Sequence, residues 1–340
     1  MKELNIVIAC DVDPDRESFI PGQKLDRLEW KGMLEGIPRG KDAVHILTDR
    51  DGHAPIFTWC LRVDHQIKQL CGSYEHVLAT HAGFLKGLEQ SGDELGWHPH
   101  FWRRDDRAGK WYQELADRAF QISMLEEASA AFKKEIPSGP VSARMGWAYH
   151  NNDTYATMAR LGVKIECSAI PGMRILPPNE QIHDDGYYDW YGTPDEPYYP
   201  SGADFRRPAR PGETEVRLLE VPVFMTHSIM WGLFAGAILS RKKKTLSPLT
   251  GALARPSYIV NITGKPTLFS PILSALNHRL AKAQRTTFLT YFHADELVVN
   301  AHPVYKLEHM MINLKAVLAA ADRHKVAVKF MRARDLEALY

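Results

Sequence analysis

Cysteine is scarce in this sequence: four residues in 340, at positions 10, 60, 71 and 167, with no C-x-x-C spacing among them. That excludes a disulfide framework and a thiolate zinc site. Each cysteine falls in or beside an apolar run, where a free thiol acts as a small hydrophobe, so a reducing compartment is expected. Long hydrophobic runs are also missing, and nothing approaches the ~20 apolar residues that span a bilayer. The early apolar run "IVIAC" is too short for a signal segment and has no small-residue cleavage site, so it reads as a strand of a cytoplasmic protein. Charge of one sign is missing overall, with a formal net charge of +1. Together with the lack of any DNA- or RNA-binding motif, this argues against a nucleic-acid partner. Neither heptads nor short repeats occur.

What remains is an ordinary globular composition, 45% hydrophobic and 24% charged, enough for a sizeable core. Apolar, β-branched runs read as buried strands at 4–10, 55–63, 94–97, 141–145, 163–167, 216–223, 286–292 and 326–331. Helical patterns lie between them. The clearest covers 306–325, where Leu307, Met310, Met311, Leu314, Val317, Leu318 and Ala321 form one apolar stripe. Another begins near Asn152 as cap and stops at Gly162, a residue suited to a left-handed terminus. Strand-then-helix alternation predicts a parallel sheet wound or closed by helices, in which chemistry gathers at the carboxyl ends of the strands.

Polar residues stand at those ends. The first strand runs into Asp11-Val12-Asp13, the third into His98-Pro99-His100, the fourth into Arg144 and a late one into His293. Pro99 pushes His98 out of the α region, so the segment is extended and the two imidazoles share a side at roughly 6.6 Å spacing. Both can then converge on one divalent ion, expected to be zinc, with Asp13 as a carboxylate ligand and further positions left open for water and substrate, as catalysis requires. The alternative is a surface loop in which His98 and Trp97 merely pack.

The order of these segments resembles the polysaccharide deacetylase (NodB homology, carbohydrate esterase 4-like) superfamily. The resemblance rests on D-x-D after the first strand, "FTWCLRVD" then "DELGWHPH", "ARMGW" then "TMARLGVKIECSAIPG", "EVPV" and "LTYFHADEL", and it spans residue 4 to about 331. It implies an α/β fold, a distorted (β/α)7 barrel, and metal-dependent removal of N-acetyl groups from amino sugars. By position, Asp11 resembles the catalytic base, Asp13 and His98 metal ligands, Arg144 the residue orienting the base, and His293 the general acid. Two motifs depart from the pattern. The family usually spaces its histidines four apart, but position 102 is tryptophan, so His100 takes the third ligand role, as in a subset that carries H-x-H. The third motif reads Arg144-Met145-Gly146-Trp147, in which Trp147, like Trp97, is a candidate for stacking on a sugar ring.

One stretch lies outside this scheme. Between Val221 and Ala294 there is no aspartate or glutamate but nine lysines and arginines, four of them consecutive at Arg241, Lys242, Lys243 and Lys244. Apolar segments with tryptophan and phenylalanine run into these charges, so a basic, apolar insertion at 224–285 is expected before the last strands of a single 1–340 catalytic domain. Such a segment suits contact with an anionic membrane surface, and points to a peripheral protein acting on a lipid-linked N-acetylated saccharide; a buried barrel helix with a solvated charge run is the alternative. The loop at 184–213, rich in tyrosine and proline, reads as a sugar cleft, a lid or an oligomer contact. Two other functions stay open: a glycosyltransferase holding a metal-bound nucleotide sugar on Asp11 and Asp13, and a non-catalytic saccharide-binding barrel.

Overall fold

A computed structural model of the chain describes residues 2–16, 28–107, 109–177, 186–298 and 304–340. Eight strands make one parallel sheet: β1 (Glu3–Val12), β2 (Phe57–Leu61), β3 (Glu94–Trp97), β4 (Ser142–Ala143), β5 (Ile165–Glu166), β6 (Leu219–Glu220), β7 (Arg285–His293) and β8 (Ala327–Met331). Their order is β6-β5-β4-β3-β2-β1-β7. One edge of β1 pairs with β7 from Glu3↔Arg285 to Asp11↔His293. Its other edge is shared, Glu3–Val7 with β8 and Ile8–Val12 with β2, so seven strands curl around the barrel and the eighth sits beneath β2. Beyond β6 the chain crosses the remaining gap: the Val223 N–H bonds the Ala169 carbonyl, and the Phe224 N–H bonds that of Leu289 at 2.8 Å. This is a distorted (β/α)7 barrel.

Alternation along the strands sorts side chains into two cores. Val7, Ala9, Ile165, Cys167, Leu289 and Met331 fill the barrel interior, whereas Ile6, Ile8, Cys10, Trp59, Trp97 and Phe292 pack outward against helices. The inward positions at the carboxyl ends are the polar ones.

The helix predicted at 306–325 is Leu307–Arg323, and it buries Met310, Leu314 and Val317 of the expected stripe. The helix Asn152–Leu161 is capped one residue earlier than expected, by Asn151. Its side chain accepts the Asp153 and Thr154 N–H groups, while Thr154 accepts from the Asn151 N–H in return. Gly162 ends it at φ 99°. Three predicted strands, 141–145, 163–167 and 216–223, shrink to two paired residues each. On that side the buried glutamates Glu166 and Glu220 bind backbone N–H groups of the departing chain and draw it out of the ladder.

Candidate active site

Parity carries Asp11 and Asp13 inward from β1, beyond Val7 and Ala9. The same parity brings in Arg62 after β2, His98 after β3, Arg144 after β4 and His293 at the end of β7. These groups meet at one end of the barrel. Nε2 of His98 and Nε2 of His100 are 3.1 Å apart, and each is within 3.7 Å of the Asp13 carboxylate. Among the described residues these three form a buried set whose donor atoms all lie within 4.8 Å of one another.

The donor set suits a divalent cation. His98 Nδ1 lies 2.5 Å from the Arg144 carbonyl, which can only accept, so the Nδ1 carries the proton and Nε2 presents its lone pair to the centre. His100 Nδ1 is buried with no partner, so no tautomer of the two imidazoles satisfies every nitrogen by hydrogen bonding alone. A cation accepting both Nε2 lone pairs removes the conflict at the centre. Burial alone would raise the Asp13 carboxyl, but His98, His100 and Arg62 hold it well below the usual carboxylate range. Burial and the Arg62 charge push His100 down to about 4, and both residues therefore take the deprotonated forms a ligand needs. His98 goes up, because the charges of Asp11 and Asp13 outweigh its burial; its extra proton is the one that a cation would displace.

Beside this set, Arg144 Nε lies 2.8 and 3.0 Å from the two Asp11 oxygens, with its guanidinium 3.7 Å from the centre of the Tyr291 ring. Despite the cost of burial, Asp11 and Tyr291 keep that guanidinium firmly charged. His293 reaches in from β7, the strand paired with β1, its Nε2 3.7 Å from Asp11 and 3.9 Å from Asp13. Its Nδ1 is 3.2 Å from Glu296 Oε1. Burial would raise Glu296, but the hydrogen bond and charge of His293, together with Arg16 and Thr263, lower it to about 2.

Gly146 is the residue that makes room. A Cβ there would sit 2.2 Å from the His100 ring, so the glycine at this position is matched to the imidazole lying against it. The next two residues, Trp147 and Ala148, have positive φ of 55° and 52°, a conformation that side chains with a Cβ resist. Trp147 is 42% exposed at the rim, edge-on to Trp102 at 6.4 Å, and Trp102 stacks parallel to His100 at 6.2 Å.

Trp97 requires a correction. It is fully buried among the outward core residues, with its indole N–H donated to the Val63 carbonyl, because the residue before an inward His98 must point outward. It cannot meet a sugar. The tetrabasic run is corrected in part: Lys243 is buried against the Trp147 and Tyr187 rings, while Arg241, Lys242 and Lys244 are exposed. Residues 184 and 185 of the aromatic loop lie outside the described residues. Tyr187 forms part of that loop's buried base, and Trp190 and Phe205 pack on each other in the core.

Sequence reasoning missed Arg62, which donates to Asp13 at 2.6 Å and also to Asp64 and Gln66, and it missed Glu296 and Arg16 behind His293. The signal for Arg62 was a charge inside an apolar strand run. For Glu296 there was only its i+3 spacing from His293.

No family model matches the chain, and no curated protein does. Among solved structures it is similar to a provisionally assigned glycoside hydrolase/deacetylase from Parabacteroides distasonis, at 14% identity and a TM-score of 0.55, over 99% of this chain and 70% of that one. A provisionally assigned polysaccharide deacetylase from Mycobacterium smegmatis follows at 13% identity and a TM-score of 0.49, over 99% and 90% of the two chains. A 4-alpha-glucanotransferase from Thermococcus litoralis gives 9% and 0.46, with 38% of that chain covered. At such identities what is shared is the backbone. The chain thus shares its backbone fold with the Parabacteroides glycoside hydrolase/deacetylase, and its distorted barrel is the architecture that its resemblance to the polysaccharide deacetylase superfamily implies.

Proposed function

We propose that this protein is a metal-dependent hydrolase that removes N-acetyl groups from an amino sugar, in a polysaccharide or a lipid-linked saccharide precursor at the cytoplasmic face of a membrane. The observation that carries the reading is the convergence of Asp13, His98 and His100 between an arginine-held carboxylate, Asp11, and a carboxylate-held imidazole, His293. Asp13, His98 and His100 would hold the ion, which we take to be zinc. When bound, it supplies Lewis acidity toward the acetyl carbonyl and a water of lowered pKa.

The remaining steps belong to the chain's own groups. Asp11, aimed by Arg144, accepts the proton of the attacking water at a carboxylate oxygen. His293 gives a proton from Nε2 to the leaving amine, so that acetate and a free amino sugar result. Glu296, bonded to Nδ1, orients the imidazole with Nε2 toward the reacting centre. Trp147 offers a flat face at the rim for a pyranose ring.

A glycosyltransferase site on Asp11 and Asp13 is less well supported, since it gives His98, His100 and His293 no shared work. A non-catalytic saccharide-binding barrel has no use for the His293–Glu296 pair. Metal analysis and acetate release from N-acetylated chito-oligosaccharides test the reading. About one divalent ion per chain is expected, lost in His98→Ala together with acetate release. Full metal content in that variant would remove His98 from the ligand set, and a metal-loaded wild type that releases no acetate from any N-acetylated saccharide would overturn the deacetylase.

A further inference from the structure

The helix Ile229–Lys243 is built inside out. The residues it buries are Gly232, Gly236 and Lys243, while its large apolar side chains Ile229, Met230, Phe234 and Ile238 point to solvent. The glycines explain why it stays attached. A Cβ on Gly232 would lie 2.5 Å from Pro256 and one on Gly236 2.8 Å from Ala252, so the helix sits directly on the segment that follows it. Trp231 adds a contact with the Tyr258 ring at 5.2 Å. The second helix of this hairpin, Ser247–Ala254, adds exposed Leu253, and Leu246 in the turn adds another. These six side chains are 51–71% exposed, and they are half of the twelve large hydrophobics most exposed among the described residues. A helix of a water-surrounded protein normally turns such residues inward.

Charge identifies what covers them. Arg241, Lys242 and Lys244 stand exposed at the end of the apolar face, and no acid occurs anywhere from Val221 to Ala294. No helix of the described residues is long and apolar enough to cross a membrane. A second copy would bring another hairpin that, like the first, has no acid of its own to neutralise these lysines and arginines. An anionic lipid surface meets both properties, taking apolar side chains below its headgroups and lysines and arginines among them.

We infer that the hairpin 229–254 docks this protein on anionic phospholipid. The same helix ends with Lys243 over the Trp147 ring at 4.8 Å, so docking sets the rim of the candidate active site beside the lipid headgroups. This deepens the proposed reading and rests on it only for what the membrane delivers to the site.

The test is co-sedimentation with vesicles of phosphatidylcholine alone and of phosphatidylcholine with phosphatidylglycerol. Wild type is expected with the anionic vesicles only, and less so at high salt. The triple variant Arg241→Gln/Lys242→Gln/Lys244→Gln should weaken partitioning about a hundredfold, given the usual worth of three surface charges. The variant Phe234→Ser/Ile238→Ser, which keeps the charge, should weaken it too, and because these side chains face solvent both variants should keep the wild-type circular dichroism spectrum. Absence of wild-type binding, or equal binding by the triple variant, overturns the inference. So does a solution dimer that dissociates in Phe234→Ser/Ile238→Ser, which would assign the face to a second copy. His98→Ala should still sediment like wild type, so a failed deacetylase assay and a failed docking assay are read separately.

Discussion

At the scale of single residues, two carboxylates two positions apart have different partners and therefore different work. Asp13 faces the two imidazoles and Arg62, whereas Asp11 is held by Arg144 and faces His293. Asp11→Asn and His293→Ala should accordingly keep the bound metal yet lower deacetylation by about 10²–10⁴-fold, the usual worth of a positioned base or acid. Metal content and turnover measured on the same preparation separate the roles, and a variant with wild-type turnover would leave the mechanism. The D-x-D, H-x-H, arginine and late histidine were all readable from the chain, because each follows an apolar run. Trp97 was misassigned for want of one fact: with His98 inward, its neighbour points to the helices.

At the scale of elements, the turn after β4 supports the histidine pair by lacking a side chain. Gly146→Ala places a methyl 2.2 Å from the His100 ring, so the ring must leave its present position beside His98 and Asp13. Metal affinity should fall by 10–100-fold, the range seen when a supporting shell is disturbed, while overall folding survives. Competition with a chelator measures this, and unchanged affinity would show that His100 is not held by that turn. Elements with strong periodicity, β1, β7 and the helix Leu307–Arg323, match the sequence reading closely. The short β4, β5 and β6 do not, since their pairing is cut off by side-chain bonds to the backbone that no local pattern announces.

At the scale of the whole molecule, the layer outside β5 and β6 holds a buried ionisable cluster. Glu166 and Glu220 are paired neighbours in the sheet, with His150 3.2 Å from Glu166, Ser168 bonded to it, and the Tyr155 hydroxyl on Glu220. Burial and the adjacent Glu166 charge push Glu220 well above the usual carboxylate range. Burial opposes the charge of Glu166 as well, but His150 and the hydrogen bonds from Glu220 and Ser168 lower it. The pair therefore shares one proton. A raised acid stabilises the fold below its unfolded value and loses that contribution as pH rises through its folded value; a lowered one is lost as pH falls. Wild type should thus lose thermal stability as pH rises from the ordinary carboxylate range toward the raised value of Glu220, and Glu220→Gln should lose less over the same range. Melting curves at stepped pH check this, and parallel pH profiles for the two proteins would show that Glu220 does not titrate there.

The sequence by itself determined a parallel α/β sheet and the groups at its strand ends, because strand alternation and the punctuation by proline and glycine are local properties written residue by residue; closure into a barrel entered only as what the family resemblance implies. It also carried the acid-free basic stretch. Only the tertiary structure decided which strand-end groups share a partner, since that depends on strands far apart in the chain closing into one ring. His293 meets Asp11 through pairing across 282 positions, and Glu296 and Arg16 meet behind it in the same way. It likewise decided which side of the helix Ile229–Lys243 is covered: a helix apolar on nearly every face has no preferred inner side in sequence, and the close approach at Gly232 and Gly236 chose it.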